Sequence, residues 1–165
     1  PSASRVHMRG ADEADTGPDT GARSSYRGVG RGDLEMVTLQ HPSGASAIVY
    51  LWGATLTSYR TATGVENIFV SPGALFDGKK AIRGGVPVVF PQFGQPSRAM
   101  PQHGFARTST WTIDSLSDSS EESRLVLSLS DSEATLALWP FPYRLEYVVT
   151  LSAVSLKMRL TITNT

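Results

Sequence analysis

From Leu34 onward the chain is patterned with a period of two. Leu34, Met36 and Thr38 alternate with Glu35, Val37 and Leu39, as in a strand whose successive side chains point to opposite faces. His41-Pro42-Ser43-Gly44 has the composition of a turn. Ala47–Leu51 and Thr55–Arg60 read as the next two strands, Thr61-Ala62-Thr63-Gly64 as a second turn, and Asn67–Val70 as a short strand. Ser71 to Arg107 is irregular and holds five of the ten prolines. Alternation then returns. Trp111 and Ile113 share one face of a strand, and Leu125, Leu127 and Leu129 one face of the next. Tyr143, Leu145, Tyr147, Val149 and Leu151 form a longer stripe. Leu156, Met158, Leu160 and Ile162 form another, with Lys157, Arg159 and Thr161 on the reverse side. No segment carries an amphipathic pattern of three helical turns. The pattern predicts an all-β protein of antiparallel sheets packed face to face.

Residues 1–32 break this pattern. Val6, Met8, Tyr26 and Val29 are their only larger apolar side chains. Too little surface can be buried to offset the entropy of ordering, which predicts a disordered tail over 1–32 and a single domain over 33–165. Gly28-Val29-Gly30-Arg31-Gly32 is not a dinucleotide loop, because Asp33 stands where the third glycine belongs and no strand is expected before it. The tail begins at Pro1 and is rich in Arg and Ser, but Asp12, Glu13, Asp15 and Asp19 weigh against a transit peptide. A cytoplasmic location is expected, with an organelle as the alternative. The last residues, Thr161 to Thr165, end at a well-patterned strand. An open sheet edge is normally covered, so a further subunit or further sequence is expected there.

Composition narrows the function classes. The 165 residues suit one domain, and 40% apolar residues can fill its core. Fifteen basic and fifteen acidic residues cancel, so no net field points to nucleic acid or an anionic membrane. The longest apolar run, around Ala47–Leu56, is interrupted by Gly53 and is too short to span a bilayer. Cysteine is absent and His occurs three times, which excludes disulfide and thiol chemistry and argues against a metal centre. No cofactor is expected.

The chemistry-bearing stretch is Ile82-Arg83-Gly84-Gly85-Val86-Pro87-Val88-Val89-Phe90-Pro91-Gln92-Phe93-Gly94, followed by Met100-Pro101-Gln102-His103-Gly104-Phe105-Ala106-Arg107. Glycine lets backbone approach a ligand closely, and proline stiffens a loop. Arginine's planar fork suits phosphate or carboxylate. Considered one by one, these residues have plainer roles: a solvated arginine, a structural histidine, and Phe90, Phe93 and Phe105 in the core. By themselves they support no more than a β domain with a candidate anion-binding loop.

Taken together, the two motifs with Trp111 resemble the glucose-6-phosphate 1-epimerase family, hexose-6-phosphate mutarotases. Gly53-Ala54-Thr55-Leu56, Asn67-Ile68-Phe69-Val70-Ser71 and Trp139-Pro140 agree with it. The resemblance implies a galactose-mutarotase-like β-sandwich (supersandwich), incomplete at the C-terminus. It implies that Arg83 and Arg107 hold a sugar phosphate, that Gln102 contacts the substrate, and that His103 polarises the ring or anomeric oxygen. The implied reaction opens the ring at C1, rotates the C1–C2 bond and recloses it on the other face, with neither metal nor cofactor. The family's glutamate base and histidine acid are expected beyond Thr165; Glu121, Glu122 and Glu133 match neither. A fragment without that pair is therefore expected, inactive alone, from a protein monomeric at full length. A non-catalytic sugar-phosphate-binding module and a mutarotase for an unphosphorylated sugar stay open.

Overall fold

A computed structural model describes residues 24–165. Its strands form two four-stranded antiparallel sheets, each in chain order. The first contains β1 (Tyr26–Val29), β2 (Glu35–Gln40), β3 (Ser46–Tyr50) and β4 (Thr55–Arg60). The second contains β5 (Thr112–Asp118), β6 (Glu122–Ser130), β7 (Tyr143–Ser152) and β8 (Leu156–Asn164). A six-residue helix, α1 (Glu133–Leu138), links β6 to β7. It is held at its start by a reciprocal cap in which each of Ser132 and Thr135 accepts the other's backbone N–H.

The alternation works as the sequence suggests. Val37 and Leu39 of β2, Val49 of β3 and Leu56 of β4 point inward against Leu125 and Leu127 of β6 and Leu145, Val149 and Leu151 of β7. Each is fully buried, and burying such a side chain contributes about 1.5–3 kcal/mol. The Ser123 hydroxyl of the second sheet donates to the Gln40 carbonyl of the first at 2.6 Å. Trp111 is buried before β5, and its indole N–H donates to the Ala106 carbonyl at 3.0 Å. The core is thereby tied to the loop that carries Arg107. On the outer side of the first sheet, Tyr50 packs with Ala74, Phe76 and Ile82 in a second small cluster, so the irregular segment after β4 is anchored as well.

Three expectations need correction. The predicted tail is ordered from residue 24 onward, while residues 1–23 lie outside the described part of the chain. β1 pairs with β2 from Tyr26 opposite Thr38 to Val29 opposite Glu35. Ser25 donates through both backbone and hydroxyl to Asp118, at 2.8 and 2.6 Å, and the Arg31 guanidinium lies 4.2 Å over the Phe76 ring. Backbone pairing and polar anchors do here what apolar burial could not.

Asn67–Val70 is not a strand; within 66–70, Glu66 bridges to Arg60 and Val70 to Gly84 as isolated pairs. The Glu66 carboxylate accepts the N–H groups of Tyr59 and Ile68 at 2.9 and 3.0 Å, replacing ladder partners. The third correction is Phe93, which is not a core residue: it is 82% exposed, whereas Phe90 and Phe105 are buried.

The β8 stripe does alternate, in register with β7 from Leu151 opposite Leu156 to Tyr143 opposite Asn164. Its apolar members Met158, Leu160 and Ile162 are nevertheless exposed, because β8 extends the inner face of the second sheet past the strands that cover β6 and β7.

Candidate functional site

The site lies on the loops between β4 and β5. The Arg83–Val86 crossing is pinned against β4 by close backbone contacts. Val86 N–H donates to the Leu56 carbonyl at 2.9 Å and Gly85 N–H to Phe69 at 2.8 Å, while Arg83 accepts from Ser71 N–H at 3.0 Å. Gly85 has φ +68, and a β-carbon there would stand 2.3 Å from the Leu56 carbonyl oxygen. Only glycine allows this approach without displacing the strand. Arg83 is thus projected outward from a fixed base.

The second motif is pinned in the same way. Gly104, φ +72, bridges to Phe90, and a β-carbon would meet the Phe90 carbonyl oxygen at 2.0 Å. The buried Gln92 side chain organises the loop between the motifs. Its amide donates to the Ser97 and Pro101 carbonyls at 3.2 and 3.0 Å, and its oxygen accepts from Ser97 N–H at 3.2 Å. The 3-10 turn Ala106–Thr108 then orients Arg107. One arm, Nη2, donates to the Gln102 carbonyl at 2.7 Å. Nε is buried without a partner among the described residues.

These segments enclose a cavity of about 620 Å³. Arg83, Gln102 and Arg107 line it together, so three of the four residues singled out in the sequence meet in one place. Lys79 and Lys80 line it too, with Thr108 and the backbone at Gly84–Gly85. Four cationic residues therefore line the cavity, and no Asp or Glu does among the described residues. Among the described residues neither Arg83 nor Arg107 is in an ion pair. Such a wall attracts an anion; the Arg83 fork is outside any ion pair among the described residues, while Arg107 already gives Nη2 to the Gln102 carbonyl. A smaller cavity of about 240 Å³, between Trp139, Phe141, Tyr143 and Ile162, has no charged residue in its lining among the described residues.

The lysines were missed in the sequence. They are two of only three in the chain and lie just before Arg83, which was the available signal. Their placement depends on Asp77, whose carboxylate accepts the N–H groups of Lys80 and Lys79 at 3.0 and 2.9 Å. Those bonds hold the Asp77 pKa below its ordinary value. The Trp52 indole N–H adds a bond to the Lys80 carbonyl at 2.9 Å.

His103 is not on the cavity wall. It follows Gln102, has φ +65, and is half-buried with its ring 5.1 Å from Phe93, edge-on. Left-handed backbone is uncommon in a residue other than glycine and is held here by its bonds. His103 N–H donates to the Gly94 carbonyl at 2.6 Å, and Gly94 N–H donates to Nδ1 at 3.0 Å. Nδ1 therefore carries no proton in this arrangement, and the neutral ring holds its proton on Nε2, as a donor. Among the described residues no group of three His, Cys, Asp or Glu could hold a metal ion. No helix there is long and apolar enough to cross a membrane.

Two antiparallel sheets in meander order, with a loop cavity lined by four cationic residues, define a β-sandwich protein with an electropositive cleft. Comparison with known proteins makes this specific. The family model for aldose 1-epimerase matches residues 35–165. A protein of Cenchrus ciliaris named "Putative glucose-6-phosphate 1-epimerase" is 37% identical over 140 residues, covering 80% of this chain and 42% of the relative. An Escherichia coli protein of the same name is 36% identical over 114 residues, covering 68% and 38%. The crystal structure of YeaD from Salmonella typhimurium, a candidate mutarotase, superposes with a TM-score of 0.72 at 28% identity, over 82% of this chain and 47% of that one. The chain belongs to the aldose 1-epimerase family and has the galactose-mutarotase-like fold. It spans less than half the length of these relatives.

Proposed function

We propose that this chain forms the phosphate-holding part of an isomerase that interconverts the α and β anomers of glucose 6-phosphate or a closely related hexose 6-phosphate. The observation that carries the reading is the cavity wall: Lys79, Lys80, Arg83 and Arg107 together, without a carboxylate. A neutral sugar gives four clustered cations no counter-charge, whereas a dianionic phosphate does. The names of the similar proteins support the same substrate class.

In this reading the phosphate is held by the arginine forks and the lysines, and Gln102 contacts the sugar. His103, beside the cavity, donates from Nε2 to the ring or anomeric oxygen. Ring opening needs a base at the C1 hydroxyl and an acid at the ring oxygen. No carboxylate lines the cavity among the described residues, so the site as described supplies binding and polarisation, and the base must come from elsewhere in the protein. That observation also favours a second reading for the isolated 165 residues, a sugar-phosphate-binding unit without turnover. Exchange NMR of anomer interconversion tests the proposal. The intact protein should accelerate exchange for glucose 6-phosphate and much less for glucose; equal acceleration would overturn the phosphate assignment.

A further inference from the structure

We infer that Phe93 is the sugar-binding platform of the site: its exposed ring stacks on the apolar C–H face of the pyranose whose phosphate occupies the cationic cavity. This rests on the reading above and adds to it the residue that recognises the sugar rather than the phosphate.

Phe93 is 82% exposed, in a chain whose neighbouring motif phenylalanines, Phe90 and Phe105, are buried at 6% and 5%. Its exposure is not that of a loose loop. On one side Gln92 is buried and fixed by three side-chain hydrogen bonds. On the other, Gly94 is clamped to His103 by two reciprocal bonds, N–H to Nδ1 at 3.0 Å and carbonyl to N–H at 2.6 Å. Phe93 thus presents its exposed ring from a loop that is anchored at both neighbours. The His103 ring packs on it in a tilted, T-shaped contact at 5.1 Å, and the phenylalanine as a whole stays 82% exposed.

The position suits a sugar. Gln102 lines the cavity and His103 is the next residue, about 3.8 Å along the chain. With the His103 and Phe93 rings 5.1 Å apart, the histidine and phenylalanine lie beside the segment that lines the phosphate-binding wall. A pyranose offers hydroxyls at its edge and C–H groups on its face. A fixed aromatic ring beside an Nε2–H donor is complementary to both, and it loses little freedom on binding. Inorganic phosphate has no such face.

The test compares two probes, glucose 6-phosphate and inorganic phosphate, by calorimetry on the intact protein and its Phe93→Ala, Phe93→Leu and Phe93→Trp variants. Phe93→Ala should weaken glucose 6-phosphate binding about 3- to 10-fold, on the scale of an aromatic contact, and leave inorganic phosphate unchanged. Phe93→Trp should retain affinity and Phe93→Leu should recover only part of it. The melting temperature should not fall, since the ring is exposed. Unchanged glucose 6-phosphate affinity in Phe93→Ala would overturn the platform while leaving the cationic cavity intact. Equal weakening of both probes would also overturn it, by showing that the loop rather than the ring face matters. Failure of the unsubstituted protein to bind either probe would overturn the phosphate reading itself, and this inference with it.

Discussion

Removing the two arginines should give different results, because the structure uses them differently. Arg83 lines the cavity from a pinned backbone and forms no ion pair among the described residues. Arg83→Ala should therefore cost binding alone. A charge-assisted hydrogen bond contributes roughly 1.5–3 kcal/mol, about ten- to a hundredfold in affinity. Arg107 also donates to the Gln102 carbonyl at 2.7 Å. Arg107→Ala should lose the same affinity and, in addition, about 0.5–1.5 kcal/mol of stability from that tether, or about 1–6 °C in Tm for a chain of this size. The loss should fall on KM with kcat little changed, since the phosphate is remote from C1 and is held alike before and during ring opening. Lysine at either position restores charge without the fork and should rescue only in part. The assay is anomer exchange by NMR across glucose 6-phosphate concentrations, with thermal melts in parallel. Normal KM in both alanine variants would refute the phosphate assignment, and a loss of kcat alone would place these arginines at the reacting carbon instead.

Two further predictions concern the scaffold. Burial works to raise the Glu66 pKa, but bonds from the Ser58 hydroxyl and the N–H groups of Tyr59 and Ile68 outweigh it, so the net shift is downward. A depressed folded pKa stabilises above the unfolded value and loses that contribution as pH falls through the folded one. Melting temperature should therefore decline on acidification below the ordinary carboxylate range, and Glu66→Gln should flatten that part of the profile; an unchanged slope would refute the role. Gly104→Ala should destabilise by more than about 1–2 kcal/mol, the cost of left-handed backbone alone, because its β-carbon would also meet the Phe90 carbonyl oxygen at 2.0 Å. Chemical denaturation measures this, and a neutral substitution would contradict the described packing.

Much of this protein could be read from its residues in order. Strand alternation is a local consequence of backbone geometry, so Tyr143 to Leu151 or Leu125 to Leu129 announced their buried faces without knowledge of the partner sheet. Glycine and proline spacing marked the two loops that carry Arg83 and Arg107 as rigid, and Gln102 stood out only through the family resemblance of the two motifs. What could not be read were outcomes set by atoms distant in sequence. β1 is held by the edge of β2 and by Asp118, far along the chain, so its own poverty in apolar residues misled. Glu66 replaced a strand ladder with its carboxylate, a competition that periodicity does not register. Lys79 and Lys80 joined the cavity through the Asp77 turn and the Trp52 indole, and Phe93 faced outward from a loop that Gln92 and His103 anchor on either side. Local pattern reports which face of a strand prefers to be buried; only the packed chain decides which loop side chains converge, since convergence depends on hydrogen bonds closed across long stretches of sequence.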